Sequence, residues 1–301
     1  MPKTLFIINP HAGRVRKLWR ELEPILGDWV NNYTVAMTRF PEDVIEYLDQ
    51  SVLDGVEQII SVGGDGTNKW MINALMQHRD RYPDHHITFG TIPAGTGRDF
   101  ARGVGLPLEP FAAAQYILTQ AKPHTIDIGR ATFAGETHYF LNVANVGIAN
   151  AVVQRVERTQ KRPWTFFVSV LSTLAQYQPE AVQIELDGEQ WFEGQIYVVG
   201  VANGTSTGQG ILIAPDAKVD DGLFDVVVAE KMPFLELAQV FPKIYSGNHI
   251  THPKVHIKRA QHVRISTPDG KAIGMDLDGE ASDGASEIIY EIQPSALTIL
   301  L

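Results

Sequence analysis

The chain has 301 residues, enough for two modest domains or one large one. Its net charge of -10 argues against a nucleic-acid binder and against a strong polybasic membrane anchor, so any lipid contact has to be local or apolar. The 44% hydrophobic and 20% charged content is that of a soluble globular protein, and the absence of cysteine excludes disulfides and thiolate metal sites, which fits the cytoplasm.

Strand and helix signals alternate from the start. Residues 4–8 are a continuous apolar run, as expected of a strand covered on both faces and too short for a signal peptide. Residues 15–26 have helical spacing at Val15, Leu18, Trp19 and Leu22. The basic Arg14, Arg16, Lys17 and Arg20 beside them suit either a phosphate-facing or a solvated helix face. Residues 33–37 read as a strand, 42–53 as a helix with Pro41 leading into it, 58–62 as a strand and 67–77 as a helix. A strand at 87–92 and a helix at 111–120 follow. This alternation predicts an α/β layer with a largely parallel sheet.

The character changes near Thr125. Period-2 and apolar runs at 138–146, 182–186, 191–201, 224–229, 255–257 and 263–266 dominate, with Asp-Gly turns at Asp187-Gly188, Asp221-Gly222, Asp269-Gly270 and Asp278-Gly279. Helical interruptions fall around 151–157, 164–177 and 234–245. The stretch 164–177 is the most membrane-like, but Thr165, Ser169, Ser172, Thr173 and Gln176 break it, and a span needs about 20 apolar residues. The second part is therefore expected to be an antiparallel β-sandwich-like domain. The closing run 296–301 lacks alternation and reads as a strand returning to the first domain. The expected division is an α/β nucleotide-binding domain at 1–127, rejoined by about 294–301, and a β-sandwich-like lipid- and metal-binding domain at 128–293. The active site is expected in the cleft between them.

Gly63-Gly64-Asp65-Gly66-Thr67 stands between a buried strand and a helix start. Glycines there admit a ligand to the backbone, and a helix N-terminus offers unpaired N–H groups with a positive dipole end, so phosphate is the natural guest. Thr67 can cap the helix or meet a phosphate oxygen. Asp65 would repel a bare phosphate; it makes sense if a divalent cation or its waters lie between, or if it accepts a proton. The stretch is neither a Walker A loop nor a G-x-G-x-x-G dinucleotide loop.

The motif resembles the GGDGT shared by diacylglycerol-kinase-like lipid kinases, NAD kinases and phosphofructokinases. Asn9-Pro10-His11-Ala12-Gly13 resembles the opening N-P-x-(S/A)-G of the lipid kinases, and the run from Pro93 through Gly95, Thr96 and Asp99 to Arg102 resembles their P-x-G-T-x-N-D-F-A-R loop. In the second part, the run from Ala214 to Asp225, with Lys218, Asp221, Gly222 and Leu223, resembles their P-x-A-x-x-D-D-G-x-L-D segment. Tyr139 to Ala144, Gly147, Val201-Ala202-Asn203-Gly204 and Leu277-Asp278-Gly279-Glu280 match as well. Taken together, the chain from about Thr4 to its C-terminus resembles the diacylglycerol-kinase-like bacterial lipid kinases (YegS/DgkB-like).

That resemblance implies an ATP-dependent phosphotransferase acting on a hydroxyl of diacylglycerol or a related lipid. It implies nucleotide contacts at Asn9, Pro10, His11, Ala12, Gly13, Thr38, Gly63, Gly64, Asp65, Gly66, Thr67, Gly95, Thr96 and Asp99. Glu280 becomes the catalytic base, with Asp127 and Asp65 in the catalytic set. The other Leu-Asp-Gly-Glu copy, ending at Glu189, reads as a hairpin turn. Asp221, with the carbonyls of Lys218 and Leu223, would hold a structural Mg2+, and a catalytic Mg2+ would come with ATP. His252, His256 and His262 lie near basic residues at spacings that suggest no metal geometry.

Where relatives continue GGDGT with x-N-E, this chain has Asn68, Lys69 and Trp70, and Arg98 replaces the usual Asn before Asp99. Lys69 and Arg98 add positive charge near the phosphate loops, which suits substituted contacts, altered nucleotide use or lost catalysis. An NAD-kinase-like small-molecule kinase and a catalytically impaired nucleotide- or lipid-binding regulator stay open beside the lipid kinase. The expected location is the cytoplasm with transient peripheral membrane contact, and the oligomeric state is open, a dimer included.

Overall fold

A computed structural model describes residues 2–148, 173 and 176–301. Its contacts divide the chain into two units, Met1–Ile128 with Pro294–Leu301, and Gly129–Gln293. The helical stretches expected at 151–157 and 164–177 lie outside the described residues, except for Thr173, Gln176 and Tyr177. Among the described residues no helix is long and apolar enough to cross a membrane.

In the first unit, strands β1 (Thr4–Ile8), β2 (Tyr33–Met37), β3 (Gln58–Gly63) and β4 (Thr88–Pro93) pair in parallel in the order β2-β1-β3-β4. Helices α1 (Val15–Leu22), α2 (Leu26–Trp29), α3 (Asp43–Asp54), α4 (Asp65–Arg81), α5 (Asp99–Gly103) and α6 (Pro110–Thr119) connect or follow these strands. The helix expected over 15–26 is interrupted by a 3-10 turn at Glu23–Ile25, because Pro24 has no N–H to give the ladder. Its apolar stripe still packs as the spacing requires: Val15, Leu18, Trp19 and Leu22 are all buried. The register places Ile8, Val62 and Ile92 level with one another, so three loops leave the sheet at one height.

The second unit is antiparallel. It comprises most of β5 (Pro123–Phe133), then β6 (Glu136–Phe140), β7 (Val143–Gly147), β8 (Glu180–Leu186), β9 (Glu189–Ala202), β10 (Ser206–Thr207) and β11 (Ile211–Leu212). After these come β12 (Phe224–Glu230), helix α7 (Phe234–Val240), β13 (Val255–Ala260), β14 (His262–Ser266), β15 (Ile273–Leu277), β16 (Glu280–Ala285) and the first half of β17 (Glu287–Leu300). The long β9 pairs with β8 along its first part and with β7 and β12 along its second, which ties separate ladders into one unit. Alternate residues of these strands meet in a core around Phe140, Phe224 and Tyr290.

Two strand readings need correction. The single run expected at 138–146 is two strands broken at Leu141-Asn142, where backbone N–H groups turn to the Asp278 carboxylate instead of a ladder. The last strand is far longer than 296–301, and beyond Pro294 it belongs to the first unit. There Thr298 and Ile299 pair in parallel with Thr88 and Phe89, and Leu300 joins a core with Phe6, Ile60 and Ile92.

Candidate functional site

The loops after β1, β3 and β4 are built into one another. Asn9, buried, donates from Nδ2 to Thr67 Oγ1 at 3.0 Å, and its Oδ1 accepts the His11 N–H at 3.0 Å. Thr67 Oγ1 also accepts the Gly64 N–H at 3.4 Å, so the hydroxyl caps α4 and joins the first loop to the second. Ala94 N–H donates to Gly63 O at 2.7 Å, and Arg14 N–H to Ala94 O at 3.3 Å, which closes the contact among the three loops. Thr38, at the end of β2, is buried with both its N–H and hydroxyl directed to Ile8 O.

Asp65 is the link to the third loop. Its Oδ2 accepts the Arg98 N–H at 2.7 Å and its Oδ1 the Asp99 N–H at 3.1 Å, so it caps the start of α5 from another helix. Burial and the neighbouring Asp99 hold its carboxyl above the usual aspartate range, against the amides that favour the ionised form. Asp99 is itself buried and bonded to Arg102 at 2.8 Å. Two glycines owe their identity to this packing. A Cβ at Gly97 would stand 2.3 Å from Asp65 Oδ2, and one at Gly95 would stand 2.6 Å from the Gly64 Cα.

The site residues thus fall into two groups. Asn9, Thr38, Thr67 and Asp99 are buried scaffold, whereas His11, Gly13 and Thr96 are exposed, with Pro10, Ala12, Gly64, Gly66 and Gly95 half-buried. The exposed group, with the first-turn N–H groups of the 17-residue α4, forms a surface suited to an anionic ligand. Arg98 does not supply the charge expected of it at the phosphate loops: its guanidinium donates to Leu108 O at 2.5 Å, and its backbone takes φ 58°, the left-handed region that the usual Asn tolerates better. A buried polar knot at Asn68 was not foreseen. Asn68 Oδ1 accepts the hydroxyls of Ser61 (2.9 Å) and Thr91 (2.8 Å), fixing α4 on β3 and β4. The signal was present as single polar residues inside two apolar strands. Asp127, also buried, accepts the Ser295 N–H at 2.8 Å and so anchors the returning end of the chain.

In the second unit both Leu-Asp-Gly-Glu copies make the same hairpin. Asp187 and Gly188 have φ 52° and 85°, Asp278 and Gly279 have φ 52° and 79°, and the flanking Leu and Glu pair in each. Each Asp also accepts backbone N–H groups of a neighbouring segment: Asp187 those of Gln261 and His262, Asp278 those of Leu141, Asn142 and Val143. They differ in surroundings. Glu189 is exposed, while Glu280 is half-buried beside Asp276, which is 1% exposed and bonded to Asn145 and the Gly279 N–H.

The oxygen set implied for a structural Mg2+ already holds a cation. Asp221 Oδ1 accepts the Leu223 N–H at 3.2 Å and Oδ2 lies 3.5 Å from Arg259 Nη1. Arg259 also donates from Nε to Asp225 Oδ1 at 3.2 Å and from Nη2 to Asp216 O at 3.5 Å. Burial raises the Asp225 carboxyl despite that guanidinium. A divalent ion on Asp221 would face the guanidinium at short range, so Lys218, Asp221 and Leu223 as arranged do not fit Mg2+. Among the described residues no group of three or more His, Asp or Glu side chains is placed to hold a metal ion.

Comparison with known proteins adds the family. Residues 3–131 match the model of the diacylglycerol kinase catalytic domain, and residues 142–301 that of the YegS C-terminal NAD kinase beta sandwich-like domain. The chain is 28% identical to a diacylglycerol kinase of Bacillus subtilis over 93% of its length and 90% of the relative's. It is 31% identical to a diacylglycerol kinase of Mycobacterium tuberculosis, covering 86% of this chain and 81% of that one. The crystal structure of a diacylglycerol kinase from Bacillus anthracis superposes with a TM-score of 0.73 at 23% identity, over 99% and 96% of the two chains, and so shares the fold.

Proposed function

The chain belongs to the diacylglycerol kinase family and is a lipid kinase, a transferase; from that premise we propose that it moves the γ-phosphoryl group of ATP to a hydroxyl of diacylglycerol or a related lipid. The observation that carries the reading is the convergence of the loops after β1, β3 and β4 at three level strand ends, locked by Asn9, Thr67 and Asp65. Strand ends of a parallel sheet are where such folds bind ligands, and rigid amide donors there need no reorganisation when charge develops on the transferring group.

In this reading the α4 N-terminus and the exposed first and third loops hold the phosphates, while Asn9, Thr38, Thr67 and Asp99 keep those loops in place. Glu280 takes the proton of the lipid hydroxyl; the freed oxygen bonds to the γ-phosphorus, the bond to the bridging oxygen breaks, and ADP leaves. Mg2+ bound with ATP would neutralise phosphate charge. Asp65 and Asp127 act by position, the first on the third loop and the second on the C-terminal return.

The test is transfer from labelled ATP to a panel of hydroxyl lipids, with NAD offered in parallel. Glu280→Gln should lower the turnover to lipid about 10²–10⁴-fold while leaving ATP binding unchanged. Transfer to NAD and to no lipid would sink the reading. So would ATP binding without transfer in both forms.

A further inference from the structure

The exposed apolar side chains of the second unit gather where its charge is unusual. Helix α7 turns Leu237 and Val240 inward, where with Phe241 they pack on Tyr197 and Met232. Its first two residues are left outside: Phe234 is 48% and Leu235 76% exposed, followed by Tyr245 at 44%. Pro233 and Pro242 are exposed too, and so are Lys231 and Lys243.

From 231 to 262 the chain carries five basic side chains, Lys231, Lys243, Lys254, Lys258 and Arg259, against the single acid Glu236, within a protein of net charge -10. That acid is neutralised in place, by Lys254 Nζ at 2.9 Å and His252 Nε2 at 3.3 Å. Lys231 donates to the neutral Gln195 amide and keeps its charge, and Lys243 makes no ion pair among the described residues.

The first unit supplies a contrast. There Leu53 is 82% and Ile45 38% exposed, but they border a cavity of about 620 Å³ lined also by Glu42, Glu46 and Asp49. Apolar exposure with acids is repelled by an anionic bilayer; apolar exposure with lysines is drawn to it.

We propose that the surface formed by Lys231, Phe234, Leu235, Lys243 and Tyr245 docks on bilayers that carry anionic lipid. Aromatic and aliphatic tips enter the headgroup boundary and the ammonium groups meet lipid phosphates, while the charge of the rest of the chain keeps other faces away beyond a Debye length of about 8–10 Å. The surface is argued from its own side chains and goes beyond the kinase reading. Its test is read without nucleotide, so either reading can fail alone.

The full chain is pelleted with vesicles of phosphatidylcholine, with or without about one-third phosphatidylglycerol. Expected is binding to the anionic vesicles that falls with added salt, and little binding to neutral ones. F234S/L235S and K231E/K243E should each lower the partition about tenfold or more without a change in melting midpoint, and Leu53→Ser should leave it unchanged. Because the chain has no cysteine, Leu235→Cys and Leu53→Cys can each take one polarity-sensitive dye. The dye at 235 should shift to the blue on anionic vesicles and the dye at 53 should not. Equal binding to neutral vesicles, no binding at all, or a loss produced by Leu53→Ser instead would overturn the proposal.

Discussion

Asp65 stands under two opposed influences. Desolvation and the nearby Asp99 favour its protonated form, and the backbone amides of Arg98, Asp99 and Phe100 favour the carboxylate; the first pair prevails. A folded-state value above the unfolded one means that the group contributes stability below the unfolded value and loses it as pH rises through the folded one. Asp65→Asn cannot ionise and should therefore gain on the unsubstituted chain as pH goes from about 4 to about 7. Melting midpoints of both forms across that range check this; a difference that stays flat or moves the other way removes the assignment. The same substitution places an amide group against the Arg98 or Asp99 N–H, so the third loop should loosen and ATP affinity fall at every pH.

At the scale of elements, the segment leading into β12 depends on a strand remote in sequence. Arg259, in β13, holds Asp221 and Asp225, and β13 pairs with β12 through Asp225↔Arg259. Arg259→Met should cost about 1–3 kcal/mol, because Asp225 is 3% exposed and would be left without its cation. The midpoint should drop by roughly 2–4 °C per kcal/mol, and millimolar Mg2+ should recover part of that in the variant through the freed Asp221. For the unsubstituted chain, EDTA should leave the midpoint where it is. A fall on chelation would show that a metal, not the guanidinium, joins this segment.

For the whole molecule the decisive feature is the return of the C-terminus. The buried Leu297, Ile299 and Leu300 belong to the first unit, where Ile299 sits beside Phe89, Asp127 holds Ser295, and Lys122 and Leu301 exchange two backbone hydrogen bonds. Three such side chains contribute about 1.5–3 kcal/mol each, comparable in sum with the entire stability of a domain at about 5–15 kcal/mol. A chain ending at Gln293 should lose ATP binding and hydrogen-exchange protection in β3 and β4, with protection in β9 and β12 largely kept. Unaltered protection in β4 would show that the return strand is dispensable.

The α/β layer was legible because buried parallel strands and amphipathic helices carry different periods, and Ile59-Ile60 or Val15, Leu18 and Leu22 show theirs within a few residues. The three loops were legible through their glycines, although Gly95 and Gly97 turn out to serve close packing of loop on loop. Local sequence could not distinguish the two Leu-Asp-Gly-Glu turns, since both code for one hairpin; their difference is the burial that Asp276 and the 141–143 backbone give to Glu280. Nor could it show that Arg98 would turn to Leu108, that Arg259 would reach Asp221, or that Asp65 would cap α5. Those contacts join residues tens of positions apart, and a side chain's partner across such a distance is chosen by how the strands pair, which no local pattern encodes.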